Sequence, residues 1–180
     1  MGVVSQSRTV RLFIQNDDEG GLATIGISNW TGSILVIPRP CPHEQQQRVE
    51  LLRPGVYVLV GDLEISARPQ IYIGESECVG DRLRRHEKDS ARNIWQLACI
   101  VTSCDSNLTK AHIRYIEGRL ICMAREAETA CVLNAASPTP ASLPEADIAD
   151  MEYFIEQLRF TLGLLGFDYF GKKRRLVFDR

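Results

Sequence analysis

The hydrophobic pattern of this chain centres on two short apolar runs, residues 55–60 and 70–74, which flank a nine-residue loop containing Gly, Ser and Pro. This arrangement is typical of a β-hairpin with a long loop. Side chains alternate between the two faces of a strand, so each run places its aliphatic residues on one face. These residues are Val56, Val58 and Val60 in the first run and Ile71 and Ile73 in the second. With both aliphatic faces on the core, Tyr57 and Tyr72 emerge on the same side of the hairpin.

Four further segments extend the β pattern on either side of this hairpin. Residues 9–15 alternate in polarity, and residues 23–28 follow after an acidic, glycine-containing turn, which predicts an amino-terminal hairpin. Residues 32–38 predict another strand. Residues 97–101 read Leu-Ala-Cys-Ile-Val, which predicts a buried third strand beside the central hairpin.

Helical structure is predicted in four places. Residues 44–52 predict a short helix that is closed by Pro54. A strongly basic helix follows the central hairpin, with Ser76 as a candidate N-cap. Near the carboxyl end, residues 142–145 have capping-box spacing, and the apolar stripe that follows them stops at Gly166. We expect this last helix to pack as structure.

The remaining helix carries one residue that does not fit its apolar stripe. It is predicted to begin at Ser106 or Asn107 and to run to about Glu126. Its apolar residues at helical spacing are Ile113, Ile116, Leu120, Ile121 and Ala124. At 100° per residue, Glu117 falls inside this stripe. A carboxylate that faces the core is costly unless it has an arginine, a set of hydrogen-bond donors or a cation as its partner.

These elements predict an α+β fold. We expect a small central three-stranded, mostly antiparallel sheet flanked by helices, with an N-terminal β extension and a C-terminal packing helix. The 180 residues suffice for one domain with a real core. Along the chain, we divide the protein into a β-rich extension at 1–50, a core at 51–135, and a loop, amphipathic helix and basic tail at 136–180. We expect the three parts to form one compact unit.

Composition narrows the class of protein without identifying it. Apolar residues make up 44% of the chain and charged residues 24%, which is ordinary for a globular protein, and the net charge of −2 argues against nucleic-acid binding by the whole surface. No apolar run is long enough to span a membrane and no signal sequence is evident, so we expect a cytoplasmic protein. The six cysteines show no metal-binding spacing, and Cys99 and Cys122 fit small core residues.

The basic helix distinguishes two of its cationic residues from the others. Arg82 and His86 are four residues apart and share the face of Val79, which turns toward the protein. Arg84 points the other way and Arg85 lies to the side. Arg82 and His86 are therefore the residues that can enter a site shared with the two tyrosines, and phenols beside an arginine suit a phosphate group.

Taken together, these positions resemble the GIY-YIG nuclease family. Gly55-Val56-Tyr57 stands where the family has Gly-Ile-Tyr, and Tyr72-Ile73-Gly74 matches the second motif. The later matches are the catalytic arginine, a common His/Tyr position, the metal-binding glutamate and an asparagine that closes the core. In this sequence they are Arg82, His86, Glu117 and Asn134. The resemblance covers residues 51–134 and includes Gly55 and Gly74 as motif residues.

The resemblance implies a metal-dependent endonuclease that cuts a phosphodiester bond by in-line attack. Tyr57 would be, or help to form, the general base, and Tyr72 would position the attacking or bridging oxygens. Arg82 would neutralise charge on the scissile phosphate. Glu117 would hold one divalent cation, Mg²⁺ with Mn²⁺ as a substitute. His86 would tune the Tyr57 proton or contact a phosphate.

One residue departs from the family pattern. Many relatives have a lysine directly after the second motif's glycine, where this chain has Glu75. An extra carboxylate near a phosphate either weakens binding or provides a second contact to the metal.

The expected partner is DNA, with RNA as a further option, and no membrane partner is expected. Arg84, Arg85 and Lys88 would contact the nucleic-acid backbone and steer it. The basic cluster at 172–175 and the apolar triplet at 176–178 suggest a protein partner or a further domain through the carboxy-terminal tail. The pattern leaves the oligomeric state open.

Two other interpretations compete with a nuclease. In the first, the chain is a non-catalytic module that has the nuclease fold and binds nucleic acid. In the second, it is an α+β domain without a functional site. This second interpretation predicts that Glu117 contacts an arginine and that no cleft lies between Tyr57, Tyr72 and Arg82.

Overall fold

A computed structural model describes residues 7–15, 21–39, 48–61, 68–88, 95–135 and 141–171, which contain seven strands and three α-helices. The strands are β1 (Val10–Gln15), β2 (Leu22–Ile27), β3 (Gly32–Pro38), β4 (Gly55–Gly61), β5 (Gln70–Ser76), β6 (Trp95–Ser103) and β7 (Cys131–Val132). The helices are α1 (Val79–Lys88), α2 (Lys110–Ala127) and α3 (Glu145–Leu164), and a short 3-10 helix at Val49–Leu52 precedes β4.

All seven strands belong to one sheet, in the order β1-β2-β3-β6-β4-β5-β7. Every pair is antiparallel except β5 with β7, which is parallel. The α+β class is confirmed, but the predicted three-stranded sheet is wrong. The predicted strands β4, β5 and β6 are adjacent, yet β3 pairs with β6 from Gly32↔Ser103 to Pro38↔Leu97, which joins the amino-terminal strands to the same sheet.

The central hairpin has the predicted alternation. Tyr57 of β4 pairs with Gly74 of β5, and Leu59 pairs with Tyr72. The aliphatic side chains of both strands lie on the face covered by α2 and α3; they are Val56, Val58, Val60, Ile71 and Ile73. Tyr57 and Tyr72 lie together on the other face, which α1 and the 3-10 helix cover. The sheet is therefore buried on both faces at β4, which explains why this strand is apolar along its whole length.

Two helix starts differ from the prediction. Helix α2 begins at Lys110 because Thr109 accepts a hydrogen bond from the His112 backbone N–H, while the His112 side chain accepts one from the Thr109 N–H. Helix α3 has Pro144 as its N-cap with no side-chain bond, so the predicted capping box is absent. Its predicted stop is confirmed, because Gly166 has a positive φ of 85° just after the helix.

Across the described ranges, no helix has the length and apolar character needed to cross a membrane. The basic tail at 172–180 and residues 44–47 of the predicted helix at 44–52 lie outside the described residues, and the described end of that helix is the 3-10 helix at Val49–Leu52. The division of the chain at residues 50 and 135 stays a prediction.

Candidate active site

The site is built around the phenol of Tyr57, whose side chain is fully buried in the middle of β4. Its Oη lies 2.9 Å from Nε2 of His86, and Nε of Arg82 donates a hydrogen bond to it at 3.3 Å. An arginine N–H can only donate, so the hydroxyl accepts from Arg82 and can give its own proton to a His86 ring that is neutral with Nε2 unprotonated. The three side chains form a hydrogen-bonded chain between β4 and α1.

Gly74 makes room for this phenol. A Cβ at Gly74 would overlap the Oη and Cζ atoms of Tyr57, because the tyrosine ring lies across the opposite residue of β5. Gly55 has a related role at the start of β4, where a Cβ would overlap the carbonyl oxygen of Val101 in β6. Both motif glycines therefore permit close approaches inside the sheet.

We expect Gly74→Ala to lower the free energy of unfolding by about 1–3 kcal/mol and to break the Tyr57–His86 bond, because the buried ring has nowhere to move without repacking. Urea denaturation measures the change. Gly26→Ala is the matched control, since a Cβ at this strand glycine meets nothing closer than 3.8 Å. Equal stability of the two variants would contradict the prediction.

Tyr72 joins the same cluster from β5. Its ring centroid lies 6.3 Å from that of Tyr57 and 5.2 Å from that of His86, and His86 meets both phenol rings edge-on. The interaction with Tyr72 adds to the raised pKa of Arg82, after the larger contribution of Tyr57. One guanidinium therefore interacts with both phenols.

Helix α1 presents its basic residues as the helical wheel predicts. His86 is buried beside Val79 and Leu83, and Arg82 is half-buried. The exposed basic residues of the helix are Arg84, which is paired with Asp81, together with Arg85 and Lys88. The hydrogen bond to Tyr57 raises the pKa of Arg82 despite an opposing effect of burial. Arg82 is thus a fixed positive charge at the site, while the other three face solvent.

Glu117 approaches from the opposite face of the sheet, on α2. It is half-buried, and burial raises the pKa of its carboxyl to about 7, with a further increase from Glu75 and opposing effects of Lys110, Arg114 and Arg82. Burial raises the pKa of Tyr57, and the charge of Glu117 adds a smaller increase. The described residues give Glu117 no hydrogen-bond or ion-pair partner. The arginine contact that a purely structural Glu117 would require is therefore missing from this part of the chain.

The outer side of β5 is open along part of its length. Strand β7 pairs only with Gln70 and Ile71 of β5, so from Gly74 onward β5 pairs with β4 on its inner side and has no neighbouring strand on its outer side among the described residues. Asn134 closes the edge between these two regions. Its side chain accepts from the Ile73 N–H at 3.0 Å and donates to the Ile73 carbonyl at 2.7 Å. The open edge begins just beyond this amide clamp.

Glu75 lies at this open edge, where it forms an ion pair with Lys110. The Nζ–Oε2 distance is 2.7 Å, and the Glu75 side chain is 15% exposed. Sequence reasoning missed Lys110 and its neighbour Arg114. Their spacing with Glu117 is a signal that could have found them, because positions 110, 114 and 117 share one face of a helix. The site thus contains a lysine, supplied by α2 rather than by β5.

The donor set suits a hard divalent cation. Among the described residues, no group of three or more His, Cys, Asp and Glu side chains forms a metal cage. Mg²⁺, however, binds through one or two carboxylates, several waters and the phosphates of a substrate. Glu117 is an unpaired carboxylate in a half-buried position with Glu75 nearby. These residues fit the single-carboxylate site that the family resemblance implies.

Comparisons with protein-family models, curated proteins and solved structures gave no match to this chain. The resemblance to GIY-YIG nucleases therefore rests on the residues and their arrangement.

Proposed function

We propose that this protein is a divalent-metal-dependent endonuclease that hydrolyses phosphodiester bonds in DNA. The observation that carries the proposal is the hydrogen-bonded cluster that Tyr57, His86 and Arg82 form on one face of the sheet. From the other face, the unpaired carboxylate of Glu117 acts electrostatically on the same tyrosine.

The hydrogen-bonded cluster suggests a path for the proton of the attacking water. Burial raises the pKa of Tyr57 well above its ordinary value, with the bond from Arg82 as the main opposing effect. A free phenolate is therefore disfavoured. In the proposed path, Tyr57 passes its proton to Nε2 of His86 as Oη takes the proton of the water, and the water oxygen attacks phosphorus in line. The P–O bond to the leaving sugar oxygen breaks on the opposite side, and that oxygen takes a proton from solvent. Tyr72 would orient the phosphate oxygens.

Arg82 and Glu117 supply the charges that the reaction needs. Arg82 would neutralise the charge that develops on the non-bridging phosphate oxygens. Glu117 would hold the Mg²⁺ or Mn²⁺ ion, with Glu75 as a neighbouring carboxylate. When bound, such an ion supplies Lewis-acid stabilisation of phosphate charge.

The outer residues of α1 suit the flanking nucleic acid. Arg84, Arg85 and Lys88 are exposed on one helix, and Lys110 is 47% exposed beside the site. We expect them to contact phosphates without reading bases, so that affinity falls with salt. DNA is the proposed substrate and RNA an alternative one, and we expect the activity in the cytoplasm.

A non-catalytic nucleic-acid-binding module is the second candidate. The observation that favours it is the complete burial of Tyr57, which opposes ionisation of its phenol. This module would bind DNA with the same salt dependence and would not cleave it with any divalent ion.

Cleavage of single-stranded, duplex and branched DNA, with and without Mg²⁺ or Mn²⁺, separates the two functions. For the nuclease, we expect Arg82→Ala to lower the cleavage rate by about 10²–10³-fold, because it removes a charge aimed at the transition state. Arg159→Ala, at an exposed arginine of α3, is the control that removes the same charge elsewhere, and we expect it to cleave at nearly the wild-type rate. Absence of cleavage by the wild type on every substrate, or equal rates for Arg82→Ala and wild type, would reject the nuclease.

A further inference from the structure

The edge strand β1 exposes apolar side chains on both of its faces. Leu12, Phe13 and Ile14 are 54%, 61% and 52% exposed. Successive side chains of a strand point to opposite faces, so Leu12 and Ile14 share one face and Phe13 lies on the other. Three consecutive exposed apolar residues are uncommon on a protein surface unless a partner covers them.

The backbone of β1 is also open on one side. Strand β2 covers one edge, and no strand covers the other within the described part of the chain. The Ser28 N–H donates to the Thr9 carbonyl at 3.0 Å. Because ladder bonds of an antiparallel pair fall on alternate residues, the odd-numbered residues of β1 bond to β2. The N–H and C=O groups of Leu12 and Ile14 therefore point to the open edge, ready to pair with another strand.

We propose that β1 pairs antiparallel with β1 of a second copy of this chain, about a two-fold axis at Phe13. In this register Leu12 lies opposite Ile14 of the second copy, and these residues exchange the hydrogen bonds of their outward backbone groups. The two Phe13 residues face each other at a position without ladder bonds, where opposite side chains are closest.

The charge of β1 supports its own copy as the partner. Arg11 is the one charged residue of the strand, and this register places it opposite Gln15 rather than opposite another arginine. A covering strand must be apolar on both faces over three successive residues, and β1 itself has this pattern. The tail at 172–180 would instead bring four consecutive basic residues toward a strand that carries Arg11 and follows Arg8. A symmetric pair of identical strands is the better match.

Sedimentation velocity over a wide range of protein concentrations tests the proposal. We expect the wild type to dimerise, and we expect Phe13→Lys and Phe13→Glu each to raise the dimer dissociation constant by about tenfold or more, since tenfold corresponds to only ~1.4 kcal/mol. Like charges would face each other in either variant. An equimolar mixture of the two should associate again, because lysine then faces glutamate. Leu133→Lys, at an exposed residue next to β7 on the opposite edge of the sheet, is the control and should stay dimeric.

Three results would overturn the proposal. The first is a wild type that stays monomeric at every concentration. The second is a dimer that survives both charged substitutions at Phe13, or a mixture of the two variants that fails to associate. The third is a dimer that forms only when residues 172–180 are removed, which would identify the tail as the occupant of the edge. Far-UV circular dichroism of each variant checks that the fold is retained.

Discussion

Glu117→Gln is expected to abolish metal-dependent cleavage and, at pH 8, to raise the free energy of unfolding. Both effects follow from a carboxylate held in a half-buried position without an ion-pair partner among the described residues. Glutamine has nearly the same shape and removes the charge that a divalent cation requires. It also removes the cost of keeping that charge away from water. Replacing a residue whose only role is to stabilise the fold would not raise the free energy of unfolding.

The sign of the pH dependence follows from the pKa of Glu117, which burial raises from the ordinary 4.5 to about 7. The folded state therefore binds this proton more tightly than the unfolded state. The stability that proton binding by Glu117 gives the folded state is complete below pH 4.5, falls as the pH rises toward 7, and is absent above that. A full shift of this size corresponds to ~3 kcal/mol, and partial exposure of the side chain reduces the expected effect to roughly 1–2 kcal/mol.

Chemical denaturation at pH 4 and pH 8 measures this difference. We expect the free energy of unfolding of Glu117→Gln to be higher than that of the wild type at pH 8 and close to it at pH 4. Added Mg²⁺ should stabilise the wild type at pH 8 and leave the variant unchanged. Glu126→Gln, at an exposed residue of the same helix, is the control and should retain both activity and stability. A Glu117→Gln protein that is less stable at pH 8 would instead indicate a structural ion pair.

The hairpin geometry could be predicted because it depends on nearest neighbours. Alternation in β4 and β5 places Tyr57 and Tyr72 on one face, and four-residue spacing in α1 turns Arg82 and His86 inward. Helical spacing also places Glu117 within the apolar stripe of α2, which indicates a carboxylate that faces apolar surroundings. These patterns hold because each is fixed within one or two elements.

Contacts between distant elements could not be predicted in the same way. Lys110 lies 35 positions after Glu75 along the chain, and neither residue type indicates that they pair. The full pairing of β3 with β6 depends on two segments separated by the whole central hairpin. That pairing, with α1 and the 3-10 helix across the sheet, buries Tyr57 completely. The sequence suggests a phenol beside arginines, whereas the structure places the phenol in the core with its hydroxyl at Gly74.

Burial of Tyr57 makes its proton path the most stringent requirement of the proposed chemistry. We expect Tyr57→Phe to lower the cleavage rate by about 10²–10⁴-fold, the usual contribution of a positioned acid or base. The variant also leaves Nε2 of His86 and Nε of Arg82 without the hydroxyl they contact, which costs about 1–3 kcal/mol of stability. Rates should therefore be compared below the unfolding transition of each variant. Tyr153→Phe, at an exposed tyrosine of α3, is the control.

A double-mutant cycle tests whether Tyr57 and His86 act as one unit. If the tyrosine passes its proton to His86, then His86→Gln also lowers the rate, and the Tyr57→Phe/His86→Gln protein cleaves no more slowly than Tyr57→Phe alone. DNA affinity and its salt dependence should stay unchanged in all three proteins, because the exposed cations of α1 remain. Independent, multiplying effects would show that His86 acts elsewhere in the reaction. Near-wild-type cleavage by Tyr57→Phe would show that the Tyr57 hydroxyl takes no part in the reaction.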